Sequence, residues 1–491
     1  MTMGNDRRLR LLLALAAGTL AGLSLPPLGW PWLLWPCLGL LWALAGSPQG
    51  VACGGLWGLG AVLISHRWLP ALHPLDWVGV PLPLSLPLCL LLWLLCAALG
   101  GALVAAWAAL VRRLEPGRLS TALLAAGLWG GSEVLLAKGP LFWIGLGASP
   151  LPGDPWLAGL AALVGAGGVA AVQVLLGWGV WRVARSWQWR GGLLLLMALV
   201  LVHGAGGAAR EPEAAQAAQI QPGDPTPSVP EKVLVVQPAI PTREKFLPAQ
   251  QERLLRLLAS AMAEARPSGA TVLLPEGALA LGQPLPGPAP VEVLSGGFRR
   301  SGASVHSAVL RFSPQATLPS SWVDKHRVVP LGEWVPLAPL FRWSGLSAVG
   351  GIEGGAPSRL LPRPGGAIGV AICYEIADGQ ALAEASRRGA RWLLATANLD
   401  PYPLALQSQF QALAQIRALE NGRWLVSAAN TGPSLLVDSS GRVAAALPPG
   451  RPDTGLFSVP ASWRLTPYLV AGEVPLLVLI AAGGVLRAAK R

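Results

Sequence analysis

Charge is scarce in this chain. Only 13% of its 491 residues are Asp, Glu, Lys or Arg, while 53% are hydrophobic and the mean hydropathy is +0.50. Ordinary soluble proteins carry roughly twice that share of charge, so a wholly soluble protein is excluded and much of the chain must lie in lipid. Acidic residues are scarcer than basic ones, 25 against 37, which leaves a formal net charge of +12. In a soluble protein that balance would point to nucleic acid; here the location of the positive residues decides the matter. They sit at the ends of apolar runs: Arg7, Arg8 and Arg10 before the first, Arg112, Arg113 and Arg118 in one short loop, Arg182, Arg185 and Arg190 in another, and Arg487, Lys490 and Arg491 after the last. This is the positive-inside distribution of a membrane protein, and nucleic acid is not expected as a partner.

Cysteine is scarce too. Of the five, Cys37, Cys53, Cys89 and Cys96 fall inside apolar segments and Cys373 stands alone in the more polar part, so no disulfide can form within that part. A lone thiol in an oxidising compartment escapes pairing only if it is shielded, which favours a functional reason for keeping it. The apolar region holds few charges, which argues against an ion or solute transporter. Glu133 is the exception. A carboxylate in a membrane helix is costly and by default functional, but this one lies close to Lys138 and a helix end, so a structural pair or an interfacial placement is an equal reading, and it is not read as catalytic.

What is abundant is apolar sequence of membrane-spanning length. Segments at 8–24, 29–46, 50–68, 84–111, 119–136, 157–181 and 191–206 each approach the ~20 residues that cross a bilayer. The basic start of the first resembles a cleaved signal, but the apolar segments after it argue for a retained helix. Residues 1–206 are expected to form a seven-helix membrane domain, 207–230 a Gly-, Ala-, Pro- and Gln-rich linker, 231–460 a separate domain, and 467–486 a last transmembrane helix. With the basic N-terminus cytoplasmic, every arginine-rich loop agrees with one orientation. It places the 231–460 domain on the extracytoplasmic face of the membrane.

That domain alternates strands and helices. Strands are expected at 233–236, 271–275, 304–312, 366–373, 391–397, 424–428 and 434–438, and helices at 248–266, 379–389 and 403–420, giving a sheet covered by helices. Two of the strands end on chemistry. Thr271-Val272-Leu273-Leu274-Pro275 delivers Glu276, and Ile368-Gly369-Val370-Ala371-Ile372 delivers Cys373, followed by Tyr374 and Glu375. Open α/β sheets gather their sites at such carboxyl ends. Between them stands Lys325-His326-Arg327-Val328-Val329-Pro330-Leu331-Gly332-Glu333. Each residue has an inert reading: a cysteine beside an apolar strand is usually packing, Lys325 could be a solvated loop lysine, and Glu333 and Glu375 could be surface charges. Together they form a usable set. A carboxylate can take a thiol proton, a lysine can stabilise a thiolate and an oxyanion, and the thiolate can attack a carbonyl.

Pro275-Glu276, Lys325 with Val329-Pro330-Leu331-Gly332-Glu333, and Ile372-Cys373-Tyr374-Glu375 resemble the Glu-Lys-Cys triad of the nitrilase superfamily. With membrane helices before the domain and one after it, the chain resembles along nearly its whole length the apolipoprotein N-acyltransferases, the membrane-embedded branch of that superfamily. The resemblance implies a polytopic α-helical membrane domain plus an extracytoplasmic α/β nitrilase-like domain built as an α/β/β/α sandwich. It implies Glu276 as general base, Cys373 as nucleophile and Lys325 as oxyanion stabiliser. Glu333 and Glu375 would be the supporting carboxylates, and Tyr374 would offer its backbone N–H. Gln237-Pro238-Ala239-Ile240-Pro241 and Asn430-Thr431-Gly432 resemble segments near the site, and Phe246 stands where an aromatic lid residue would fall. Val305-His306 replaces the usual Tyr-Asn. The implied reaction takes an acyl chain from a phospholipid as a thioester on Cys373 and passes it to the α-amine of a diacylglyceryl-cysteine apolipoprotein. The enzyme would act among membrane lipids as a monomer, with no cofactor and no metal. The alternative is a membrane-tethered amidase that hydrolyses a small amide.

Overall fold

The computed structural model describes residues 2–76, 80–186, 188–210, 229–245, 247–330, 333 and 351–489. Among the described residues the long helices that precede the polar domain are α1 (Thr2–Leu23), α2 (Pro31–Ala45), α3 (Gly50–Ser65), α4 (Leu82–Arg113), α5 (Leu119–Ala137), α6 (Ala161–Ser186) and α7 (Trp189–Ala209). Among the described residues α4, α5, α6 and α7 are long and apolar enough to cross a membrane. The chain is therefore a multi-pass membrane protein. Its helices approach closely where glycine removes the side chain: a Cβ on Gly58 of α3 would overlap the Gly100 carbonyl of α4, and one on Gly130 of α5 would overlap the Gly167 carbonyl of α6.

The expected segment 157–181 is not one continuous helix. A single helical turn at Pro155–Ala158 precedes α6, and α6 itself is broken at Gly165, which has φ +69 and ψ 171. Only glycine fits there, because a Cβ would collide with the ring of Tyr468. The break frees the Ala166 N–H, which donates to Glu420 Oε1 of the polar domain at 2.8 Å.

Among the described residues the polar domain holds two six-stranded sheets. In chain order its elements are β1 (Glu231–Gln237), α8 (Pro248–Ala265), β2 (Thr271–Leu279), β3 (Val293–Ser301), β4 (Ser304–Phe312), β5 (Ser321–Asp324), β6 (Leu360–Leu361), β7 (Ile368–Ile372), α9 (Gly379–Arg387), β8 (Leu393–Ala397), α10 (Leu404–Asn421), β9 (Leu425–Ala429), β10 (Leu435–Val437), β11 (Val443–Ala446) and β12 (Asp453–Val459). The sheet orders are β12-β1-β2-β3-β4-β5 and β11-β10-β9-β8-β7-β6. The middle pairs β1-β2-β3 and β7-β8-β9 are parallel and the outer ones antiparallel. Strand alternation sets the layers. Val233, Val235 and Leu273 face the second sheet and share a core with Ile368, Val370 and Leu394. Leu234, Val236, Val272 and Leu274 point the other way, onto Leu254, Leu258 and Met262 of α8. Leu382 of α9 with Leu406, Phe410 and Leu413 of α10 cover the far side of the second sheet. The result is an α/β/β/α sandwich. Strands β3, β5, β6, β11 and β12 lie outside the sequence expectation; β3 contains Gly296-Gly297 and Arg299-Arg300, which hide its periodicity.

After a short turn of helix at Pro467–Ala471 the chain ends in α11 (Val474–Ala488), packed on α5 and α6. The central seam of the two sheets does not stop at the domain edge. Val62, Trp68, Leu69, Cys96 and Ala97 of the membrane part belong to the same buried core as Ile372, Cys373 and Ile376.

Close helix approach makes a direct prediction. Gly58→Val adds a branched side chain against Gly100 and, at 2.8 Å, Val104 Cγ2. Overpacking of this kind costs about 1–3 kcal/mol, so the detergent-solubilised protein should lose several degrees of thermal midpoint. Gly131→Ala, with nothing within 4 Å of the added carbon, should leave the midpoint unchanged; equal midpoints for Gly58→Val and wild type would refute the packing.

Candidate active site

Strand β7 stops at Ile372, and the chain turns at once into a short 3-10 segment, Cys373–Ala377. The turn is sharp. Cys373 has φ +56, a left-handed conformation that costs a non-glycine residue about 1–3 kcal/mol and lifts the thiol off the strand end. One side chain holds the turn. Glu375, 3% exposed, accepts from the Ile372 N–H at 2.9 Å through Oε2, and from the His326 and Arg327 N–H groups at 2.8 and 3.0 Å through Oε1. The buried Arg359 guanidinium completes its shell at 3.0 and 3.2 Å. Glu375 thereby ties the Cys373 turn to the loop that carries Lys325.

Lys325 is 1% exposed, and its ammonium donates to Glu276 Oε1 at 2.8 Å and to Glu333 Oε1 at 2.7 Å. Glu276 uses its other oxygen to accept the Asn398 N–H at 3.1 Å, and Glu333 uses its own to accept the Val329 N–H at 2.8 Å. Burial pulls the Lys325 ammonium towards neutrality, but Glu276 and then Glu333 outweigh it, so its pKa rises and it stays charged. Burial likewise raises the Glu276 carboxyl, and Lys325 more than reverses this, holding Glu276 below the usual carboxylate range. Glu333 goes the other way: burial and the neighbouring Glu276 raise it. Glu276 is thus the carboxylate kept ionised. The Cys373 thiol is pushed well up, first by burial and next by Glu276, with Lys325 opposing; the Tyr374 N–H is directed at its sulfur. A thiol in that state needs a base to become a nucleophile, and an ionised carboxylate is a group that can serve as one.

The structure brings Glu276, Lys325, Glu333, Cys373, Tyr374 and Glu375 together. Phe246, Leu331 and Gly332 lie outside the described residues. Asn430, considered for substrate contact, is instead a buried clamp: it accepts from the Ile240 N–H and donates to the Ile240 carbonyl and to Asn398 Oδ1. His306 is likewise occupied, its Nδ1 2.9 Å from the Glu353 carbonyl. Glu133 does not pair with Lys138. It accepts from the Trp129 indole and the Leu146 N–H, while Lys138 reaches Gln380.

Three site residues were missed from sequence. Arg359 gave no signal, because its partner is distant in the chain. Asn398 follows strand β8 and acts through its backbone and through Thr242 Oγ1. Lys245, 8% exposed, donates to the Glu276 carbonyl at 2.9 Å; burial lowers its pKa to about 8, against raising contributions from Glu276, Asp400 and Cys373. Its position next to Phe246 was the only available hint. Among the described residues no group of three or more His, Cys, Asp or Glu is arranged to hold a metal ion.

The fold and the site define a multi-pass membrane protein that carries a buried thiol in an α/β/β/α domain. Residues 17–179 match the apolipoprotein N-acyltransferase N-terminal domain and residues 290–468 match the carbon-nitrogen hydrolase family, a range that holds Lys325 and Cys373 but starts after Glu276. The chain is 47% identical to an apolipoprotein N-acyltransferase of Prochlorococcus marinus (strain MIT 9313), over 97% of this chain and 96% of that protein. It is 44% identical to one of Parasynechococcus marenigrum (strain WH8102), over 95% and 98% respectively. The chain belongs to the apolipoprotein N-acyltransferase family. Among solved structures, a mutant amidase of the nitrilase superfamily from Nesterenkonia covers 52% of this chain and 99% of that one at 16% identity and TM-score 0.38, too low for its details to be carried over.

Lys245 supplies a test by pH. Its ordinary pKa of 10.5 falls to about 8 in the fold, so below pH 8 folding bears the whole cost of a buried charge. Between about pH 8 and 10.5 the folded state releases a proton that the unfolded state keeps, and stability rises through that window. Lys245→Met should therefore raise the thermal midpoint at pH 7, and the gain should shrink by pH 10. A gain that grows with pH would reverse the assignment.

Proposed function

We propose that this chain takes a fatty acyl chain from a membrane phospholipid onto Cys373 and delivers it to the α-amine of a diacylglyceryl-cysteine apolipoprotein, the last acylation of bacterial lipoprotein maturation. One observation supports it above the rest: the core that holds Cys373 continues into Val62, Trp68, Leu69, Cys96 and Ala97 of the membrane domain. That continuity sets the thiol beside the membrane half, the side from which a donor with its tails in the bilayer would present its ester carbonyl. A small soluble amide needs no such continuity.

In this reading Glu276 takes the Cys373 proton as sulfur attacks the ester carbonyl. The oxyanion receives the remaining N–H of Lys325 and the Tyr374 backbone N–H. Collapse breaks the ester C–O bond, and the proton on Glu276 leaves with the lysophospholipid alkoxide. The thioester then waits. When the acceptor amine attacks, Glu276 takes its proton, the C–N bond forms, the C–S bond breaks, and the proton returns to the departing thiolate. Glu333 and Glu375 hold Lys325 and the turn in register throughout. We further propose that α1–α7 and α11 all cross the membrane, that 207–230 links the two halves, and that the 231–460 domain faces the periplasm. The Arg112/Arg113/Arg118 and Arg182/Arg185/Arg190 clusters favour that orientation.

Phospholipid alone, with no acceptor, should leave one acyl adduct in the intact-mass spectrum, released by hydroxylamine and absent from Cys373→Ala. Lys325→Ala should slow adduct formation by about 10²–10³-fold. Hydrolysis of a simple amide with no adduct from phospholipid would replace acyl transfer with the amidase. For the orientation, alkaline phosphatase fused within 207–230 should be active and fused within 112–118 inactive; the opposite pattern overturns it.

A further inference from the structure

Arg327 lies two residues beyond Lys325 and its side chain makes no hydrogen bond to Glu276, Lys325 or Cys373, yet it joins three parts of the molecule. Its Nη1 donates to the Ala137 carbonyl at 2.6 Å and its Nη2 to the Gly139 carbonyl. Ala137 is the last residue of α5, where helix carbonyls have no partner within the helix. The face of the same guanidinium lies over the Tyr374 ring, 4.8 Å from its centroid, and the Arg327 N–H donates to Glu375. A planar fork with a stackable face can do both at once; a lysine ammonium cannot.

The loop and the nucleophile turn are joined without the Arg327 side chain. Glu375 bonds both, and the Tyr374 hydroxyl donates to the Val328 carbonyl at 3.1 Å. Lys325 is held by Glu276 and Glu333. What the Arg327 side chain adds is a tie from this preassembled unit to the end of a membrane helix. A second tie lies nearby, Lys138 to Gln380 of α9, but it does not touch the loop or the turn. We propose that Arg327 is a positioning residue that sets the site against α5, and so fixes where Cys373 stands relative to a donor lying in the bilayer. The inference rests on the acyl-transfer reading above.

Removing the tie should leave the Glu276, Lys325 and Cys373 contacts intact and let the unit shift against the membrane helices. A misplacement of about 1 Å between nucleophile and carbonyl can cost as much as 10²-fold in rate. The donor's route to the site is therefore the variable to change. Wild type, Arg327→Ala and Arg327→Lys would each be reconstituted in lipid nanodiscs, and the rate of thioester formation followed by intact mass. One set uses the long-chain phospholipid of the disc. The other uses a monomeric dibutyryl phospholipid added from water, in discs of ether-linked lipid that cannot donate. The expected result is a fall of about 10- to 100-fold with the bilayer donor and less than about twofold with the soluble one, in both variants. Arg327→Lys keeps the charge and one hydrogen bond and guards against simple misfolding. Equal losses with both donors would make Arg327 a general structural support, and no loss with either would make the contact incidental; each overturns the inference. Absence of any thioester in wild type would instead remove the acyl-transfer reading.

Discussion

A lysine ammonium that is 1% exposed keeps its charge only if carboxylates surround it, and the construction of the site follows from that requirement. Removing an ion from water costs several kcal/mol even after relaxation. Lys325 offsets this with Glu276 and Glu333, and each carboxylate has a backbone N–H on its second oxygen. The two N–H groups belong to different segments, one after β8 and one in the loop that follows Lys325. Charge neutralisation and fold assembly are therefore one event. The same logic recurs beneath the site, where buried Glu375 and Arg359 compensate each other and Glu375 carries three backbone donors besides.

The two halves of the molecule meet through backbone groups that one half leaves unsatisfied and the other satisfies. The break at Gly165 exposes the Ala166 N–H, and Glu420 of α10 accepts it. The end of α5 exposes carbonyls, and Arg327 donates to them. Glu420 is 1% exposed, and burial raises its carboxyl to about 7. An interface made this way specifies its geometry more narrowly than apolar contact alone, since unpaired polar groups are costly in an apolar seam.

Much of this could be read from the sequence because its signals are local. Apolar length marked the membrane helices, β-branched runs marked β2 and β7, and Glu276 and Cys373 stood out by ending those runs. Lys325 was legible as the opening of a loop whose Glu333 returns to it. What escaped depends on contacts between distant segments. Arg359 reads as a surface arginine until Glu375 is placed beside it, and Lys245 as a solvated lysine until β2 covers it. Strand β3 escaped because its Gly296 and Gly297 serve the close passage of β2: a Cβ on Gly296 would meet the backbone of Pro275 and Glu276. Of the readings open for Glu133, the pair with Lys138 fails for a similar reason. Leu146 and Trp129 offer Glu133 neutral donors, and Gln380, far away in sequence, draws Lys138 outwards.

The shared core has a consequence for the order in which the protein can be made. Val62, Trp68, Leu69, Cys96 and Ala97 leave the ribosome long before the strands of the second sheet, with which they share one core. The membrane half must therefore hold an apolar face open while the linker and the first sheet are synthesised. The second sheet, when it arrives, closes on a surface already embedded in lipid. Domains commonly fold as units in the order of synthesis, but here the later unit lacks part of its own interior. The core that holds the thiol is complete only when the two are joined.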